Sequence, residues 1–205
     1  MPGSLSSALK RAMDVGGGLV GLLVTAPVLV ACTVAVRLSS PGPVLFAQAR
    51  LGLQGRPFRL FKFRSMYVNA PDIRNPDGST FSGDRDPRVT PIGRLLRQTS
   101  LDELPQLWNV FRGDMSLVGP RPDQIDQLRF YTEQEKRKLQ VKPGLTGLAQ
   151  ISGRNAISWE RRKALDLEYV QRQSIWLDLV ILARTVPCAL RRKNLSTSDS
   201  IPAGR

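Results

Sequence analysis

The sequence predicts an α+β protein, mostly helical, assembled from a re-entrant membrane helix-break-helix, a small β-hairpin and amphipathic interfacial helices. Three observations predict it. Residues 15–36, VGGGLVGLLVTAPVLVACTVAV, form an uncharged run between Asp14 and Arg37. Two short runs, VLFAQAR and PFRLFKFRSM, flank Leu53-Gln54-Gly55 and read as paired strands. From Ser158 onward the chain reads as one or two amphipathic helices, with Trp159, Tyr169 and Trp176, residue types at home at a membrane interface. Three regions follow: a membrane anchor over 1–40, a domain on the cytosolic face over 41–193, to which the resemblance given below assigns the catalysis, and a disordered tail over 194–205.

Composition narrows the chemistry. With 205 residues and 41% apolar content the chain can bury a real core. Thirty Lys and Arg against 17 Asp and Glu give +13, which favours polyanions or an anionic membrane as partners. There is no histidine, so the commonest general base and the commonest metal ligand are both missing. The two cysteines, Cys32 and Cys188, are too far apart in the chain to suggest a disulfide framework or a zinc site. Acids, bases and nucleophiles must come from Asp, Glu, Lys, Tyr, Ser, Thr or Cys, and any metal should be a hard, oxygen-bound ion.

The apolar run would span about 33 Å as a straight helix, enough for a hydrocarbon core. Pro27, behind Thr25 and Ala26, should bend or break it. Lys10 and Arg11 precede the run, and Arg37, Arg50 and Arg56 follow it. Basic flanks stay on the cytoplasmic side, so a segment that dips in and returns satisfies both ends where a spanning helix satisfies one. Leu29-Val30-Ala31-Cys32 has the look of a lipoprotein processing site, but the run is longer than the roughly 7–15 apolar residues of a signal peptide.

In the second strand, Lys62 and Arg64 fall on one face and Phe61 and Phe63 on the other. Such a basic face suits an anion, and it suits equally the solvated side of an amphipathic hairpin. Residues 69–89, rich in Asp, Asn, Gly and Pro, read as a long loop. Thr90-Pro91 opens a short helix with Ile92, Leu95 and Leu96 on one face and Arg94 and Arg97 on another. Then comes SLDELPQLWNV. Ser100 with Glu103 has the capping-box pattern, but Pro105 would then fall inside the helix, so the helix begins later, with Asp102 near its cap, or kinks, and either way Asp102 falls at a helix start near unpaired N–H groups. Residues 112–123 carry too much Gly and Pro for a helix, residues 124–140 read as a polar surface helix, and KPGLTGLAQISGRN reads as a glycine-bearing loop exposing N–H groups to phosphates. SIWLDLVILA is strongly apolar and is followed by Arg191, Arg192 and Lys193.

Together, PGPVLFAQARLG, KFRSM, DPRVTPIGRLLRQTSLDELPQLWNVFRGDMSLVGPRP and PGLTGLAQISGR, in that order, resemble the bacterial sugar transferases, the monotopic phosphoglycosyl transferases in their short form. The resemblance runs from Lys10 to about Pro187. It implies transfer of a sugar 1-phosphate from a UDP-sugar to a polyprenyl (undecaprenyl) phosphate, with release of UMP, in two steps through a covalent phosphosugar–aspartate. It also implies a place at the bacterial inner membrane, facing the cytoplasm, in the first membrane step of glycan assembly, and it leaves room for a homodimer. The matching residues then take roles. Asp102 becomes the nucleophile, since a carboxylate forms an acyl phosphate without a deprotonating partner. Glu103, diverging from it by about 100° on a helix, becomes the holder of Mg²⁺. Lys62, Arg64, Arg97, Arg121 and Arg154 become the cations around the phosphates, and Asp178 has a salt-bridge reading beside a catalytic one. The family pattern has serine before the breaking proline; here Ala26 stands there, with Thr25 placed to bond a freed carbonyl. The rival reading is a non-catalytic, membrane-anchored basic protein that binds acidic lipid or nucleic acid. Only 6% aromatic residues and no zinc or helix-turn-helix signature speak against nucleic acid.

Overall fold

The computed structural model describes residues 4–73, 86–153 and 157–190. Most of the 69–89 loop, Arg154, the Arg191–Lys193 cluster and the 194–205 tail lie outside them. The chain is mostly helical, with a small β-hairpin and one long apolar helix near its start.

That helix, α1 (Ser4–Ser39), is helical throughout. Of the bend or break expected at Ala26–Pro27, a break in the helix does not occur: Pro27 lies inside it. Thr25 does not bond the carbonyl that proline frees, four residues back at Leu23. Its hydroxyl donates to Gly21 O at 2.7 Å, the back-bonding of a mid-helix threonine. One side of α1 is bare, with Leu23 66% and Val24 72% exposed. The other side docks. Gly18 brings α1 against α3 (Gln106–Arg112): a Cβ there would lie 3.3 Å from Phe111 N.

Both ends of α1 are fixed to the same body. Near the start, Arg11 donates to Val110 O and Phe111 O at 3.0 and 2.9 Å, closing the C-terminus of α3. One turn on, buried Asp14 accepts from Ser116 Oγ at 2.8 Å and Leu117 N at 2.9 Å. Near the end, Cys32 and Val36 pack with Phe63 and Leu96 in a small buried cluster, which leaves Cys32 in the core rather than at a processing site. Arg64 then seizes the terminus, donating to Pro41 O, to Ser40 O at 2.7 Å and to Ser40 Oγ at 3.0 Å.

β1 (Leu45–Leu51) and β2 (Pro57–Phe63) form the expected antiparallel hairpin, with Leu45 opposite Phe63 and Leu51 opposite Pro57. Thr90 caps α2 (Pro91–Thr99), accepting from Gly93 N at 2.9 Å, with Pro91 at the first position. Of its expected apolar face only Leu96 is buried; Leu95 is 53% exposed.

Residues 124–140 depart from the expected helix. They form two 3-10 segments, Ile125–Phe130 and Glu135–Gln140. The break falls at Thr132, whose Oγ1 accepts from Glu135 N while its N–H donates to Glu135 Oε2, a capping box that starts the second segment. The expected glycine loop after Lys142 is also built differently. β4 (Gly144–Thr146) pairs in parallel with β3 (Ser116–Val118), and α4 (Leu148–Ile151) follows. Gly144 permits this closeness: a Cβ there would sit 2.1 Å from Gly119 N. The chain ends in α5 (Trp159–Arg172) and α6 (Ile175–Leu190). The main core gathers Leu60, Leu107, Val110, Met115, Val118, Tyr169 and Ile181 from five of these elements. Asp178 lies wholly buried within it, paired to Lys10 of α1 at 2.6 Å and to the Tyr169 hydroxyl at 2.7 Å, which is the salt-bridge reading of that residue.

Asp14→Ala should leave the Ser116 hydroxyl and the Leu117 N–H buried without their acceptor and destabilise the protein by about 1–3 kcal/mol. Unfolding in detergent micelles checks it: an unchanged midpoint would show that the α1–β3 contact carries no stability.

Candidate active site

The acidic pair sits in neither helix of its neighbourhood. α2 ends at Ser100, which turns the chain in the left-handed region with φ 61°. Leu101–Glu103 then make a single 3-10 turn, and α3 begins only after Pro105. The helix begins later, as the proline allows, but not with Asp102 near its cap as expected: Pro105 takes the cap and Asp102 stays in the 3-10 turn, and no side-chain cap bond forms at Ser100, so the capping box is not built. Glu103 faces other partners instead.

Both carboxylates are more than nine-tenths buried, Asp102 8% and Glu103 9% exposed. Glu103 Oε1 receives Arg121 Nη2 at 2.7 Å and Lys62 Nζ at 3.3 Å. Burial opposes its ionisation, but these two cations prevail and hold its pKa well below the usual carboxylate range. Asp102 is different. Burial, and then the charge on Glu103, push its pKa up to about 6, against the through-space pull of Lys62, Arg97 and Arg121. Two neighbouring acids thus differ in character, one fixed as an ion-pair partner and one that titrates near neutrality.

Each cation arrives on a separate scaffold. Lys62 lies on β2, whose backbone is gripped by fully buried Asn109: Phe61 N donates to Asn109 Oδ1 at 3.0 Å, and Asn109 Nδ2 donates to Arg59 O at 2.7 Å. Arg97 is on α2, its Nε bonded to Ser65 Oγ at 2.8 Å. Arg121 follows β3 on a segment clamped from both sides. Gly119 N and Gly144 N extend the β3–β4 pairing to Thr146 O and Pro120 O, and Leu51 N reaches Asp123 O from β1. Behind it, buried Lys138 bonds Asp123 at 2.6 Å and Asp166 at 2.7 Å, and the Tyr131 hydroxyl donates to Asp123.

Of the predicted site residues, the fold brings together Lys62, Arg97, Asp102, Glu103 and Arg121. Arg64 is not among them. β2 ends at Phe63, and the Arg64 guanidinium is spent on the C-terminus of α1, so the shared basic face with Lys62 does not exist. Arg154 lies outside the described residues, and Ala26 and Pro27 belong to α1. Asn109 and Lys138 were given no role by the sequence reading. Asn109 carries a legible hint, a polar residue at an apolar-face position of a short helix, whereas nothing local marks Lys138.

Among the described residues no three Asp, Glu, Cys or His side chains gather into a metal cage. Glu103, ionised, with Asp102 beside it, suits the other mode, in which Mg²⁺ takes one or two carboxylates and completes its octahedron with water and phosphate oxygens.

Residues 5–192 match the family described as bacterial sugar transferase. The chain is 45% identical to the uncharacterized sugar transferase EpsL of Bacillus subtilis, covering 96% of this chain and 95% of that protein. It is also 45% identical to the UDP-glucose:undecaprenyl-phosphate glucose-1-phosphate transferase of Escherichia coli, and 39% identical to the undecaprenyl-phosphate galactose phosphotransferase of Salmonella typhimurium. The matches cover 87% and 91% of this chain but 39% and 41% of those longer proteins.

Glu103→Gln removes a negative charge beside Asp102 while the cations remain, so the Asp102 pKa should fall from about 6 toward or below an ordinary carboxylate value. Carboxyl ¹³C titration by NMR reads this directly; a rise would show that Glu103 is not what holds the value up.

Proposed function

The chain belongs to the bacterial sugar transferase family, and on that premise we propose that it transfers a sugar 1-phosphate from a UDP-sugar to undecaprenyl phosphate and releases UMP. The observation that carries this reading is Asp102 buried beside an ion-paired Glu103, with Lys62, Arg97 and Arg121 around the two carboxylates. An Asp102 oxygen attacks the phosphorus that bears the sugar, and the bond to the UMP oxygen breaks, leaving an acyl phosphate on the enzyme and UMP with its electron pair. An oxygen of the lipid phosphate then attacks the same phosphorus and displaces the carboxylate, forming the new diphosphate. One phosphoanhydride is broken and one made, so no separate energy source is required.

An anionic nucleophile meeting an anionic phosphate needs its repulsion neutralised. Lys62 and Arg121 already converge on Glu103, so the positive charge is organised before substrate arrives, and the planar fork of Arg121 suits phosphate oxygens. Arg97 faces Asp102 from α2. Glu103 is the residue that would hold Mg²⁺, which when bound supplies further charge neutralisation on the diphosphate.

The membrane reading is of residues 1–40 as an anchor that enters and leaves by the same face, with 41–193 as the catalytic domain on the cytoplasmic side. α1 is long and apolar enough to cross a bilayer. What supports a one-sided course is that Arg11 and Asp14 near its start and Cys32 and Val36 near its end all touch the same body. Contacts of both ends with one body favour a course in which the two ends share a side of the membrane. Exposed Trp176 and Leu179 of α6 offer further apolar surface to the interface.

Asp102→Asn should abolish both turnover and a phosphosugar adduct detectable by mass spectrometry, with the melting temperature preserved; substantial residual transfer would remove Asp102 from the nucleophile's place. For topology, single cysteines at Ala8 and Gln54, with Cys32 and Cys188 replaced by serine, should react with an impermeant maleimide from the same side of sealed vesicles. Labelling from opposite sides would mean that α1 crosses.

A further inference from the structure

Beside Glu103 a cavity of about 200 Å³ opens between the β3–β4 pair, α4 and α6. Four leucines, one isoleucine and Cys188 make the apolar part of its wall, and its polar residues are Ser100, Glu103, Thr146, Gln150 and Thr185. Thr185 donates to Ile181 O at 2.8 Å, which commits its proton and leaves Thr146, 2.8 Å away, as donor to Thr185. Gln150 is the anomaly. It is only 7% exposed, and among the described residues neither its amide nitrogen nor its amide oxygen has a hydrogen-bond partner. Buried amides are almost always paired, because an unpaired donor or acceptor forfeits its hydration without replacement. A buried side chain whose amide nitrogen and oxygen both lack a partner among the described residues, in a cavity that Glu103 also lines, suits a ligand that offers a donor and an acceptor side by side.

We infer that this cavity receives the pyrimidine base of the sugar-nucleotide donor, with Gln150 pairing to the ring edge. The inference rests on the donor reading above and assigns where the nucleoside goes. A flat ring suits apolar walls on its faces, and its edge presents N3–H beside a carbonyl oxygen, the complement of a carboxamide. An isoprenoid chain fits the walls but would leave the Gln150 amide unpaired in a still drier place, and a hexose would strand its hydroxyls against leucine. With the base inside and Glu103 at the entrance, the diphosphate lies over the carboxylates where Lys62 and Arg121 converge. A carboxamide can be turned over, so Gln150 demands a donor–acceptor edge rather than uracil as such.

The test uses the full chain in lipid nanodiscs, with UDP-glucose and UDP-galactose and their N3-methyluridine counterparts. In the wild-type protein, N3-methylation should raise the donor KM roughly tenfold or more, the loss of one to two neutral hydrogen bonds. Gln150→Leu and Gln150→Met should raise the donor KM similarly, leave the KM for undecaprenyl phosphate unchanged and abolish the discrimination against the methylated base. Should the leucine variant fail to fold, the methionine variant and the methylated donor on the wild-type protein carry the test. A changed KM for the lipid phosphate, an unchanged donor KM, or undiminished discrimination in the variants overturns the assignment. If the wild-type protein transfers nothing from either UDP-sugar, the transfer reading falls on its own, and calorimetric titration with UMP still decides the cavity: binding weakened by Gln150→Leu supports it, and equal or absent binding refutes it.

Discussion

Two carboxylates on adjacent residues, both withdrawn from water, repel each other and lose their hydration together. Such a pair survives as a pair only where positive charge reaches it, and the strand, helix and Pro-flanked segment that supply Lys62, Arg97 and Arg121 lie far apart in the chain. Much of the architecture serves that convergence. Asn109 ties β2 to α3, which puts Lys62 over the 3-10 turn. The parallel pairing of β3 with β4 and the bond from Leu51 hold the Arg121 segment straight. Displacing any one of these scaffolds leaves a buried negative charge short of a partner, so stability of the fold and readiness of the site are coupled through the same ion pairs.

The same balance divides the labour between the acids. Glu103 receives direct ion pairs from Lys62 and Arg121 and stays charged, whereas Asp102, among the described residues, receives through-space attraction and carries the cost of its neighbour's charge. A carboxylate whose ionisation is only just favoured keeps more affinity for an electrophile than one fully neutralised by direct contacts. The difference arises from a 3-10 turn too short to average the two environments, which is itself a product of Ser100 and Pro105 on either side.

Sequence reading went furthest where local rules and tertiary packing agree. The hairpin and the Thr90–Pro91 cap are carried by strings whose local chemistry admits few alternatives, whereas the five residues that meet at the site are legible through the family resemblance and not through local chemistry. It failed where side-chain partners come from afar. Arg64 and Lys62 are alike by pattern, and only the position of the α1 terminus separates a helix clamp from a site cation. Residues 124–140 have helical composition, but Thr132 with Glu135 starts a new segment and Tyr131 turns inward to Asp123, a partner invisible to local propensity. β3 and β4 are three residues each, too short for alternation to register, and Gly144 matters because of Gly119, a residue 25 positions away.

The long helix, pinned at Arg11 and Asp14 on one end and at Cys32, Val36 and Ser40 on the other, has a consequence for how the protein meets its lipid. On the one-sided course proposed for it, an anchor tethered at both ends to one body would sample a single leaflet. Its seating would then depend on headgroup packing and acyl order in that leaflet, and hydrophobic mismatch, which sorts and strains helices that span, would have little purchase on it. A protein seated in that way would work in thick and thin membranes alike.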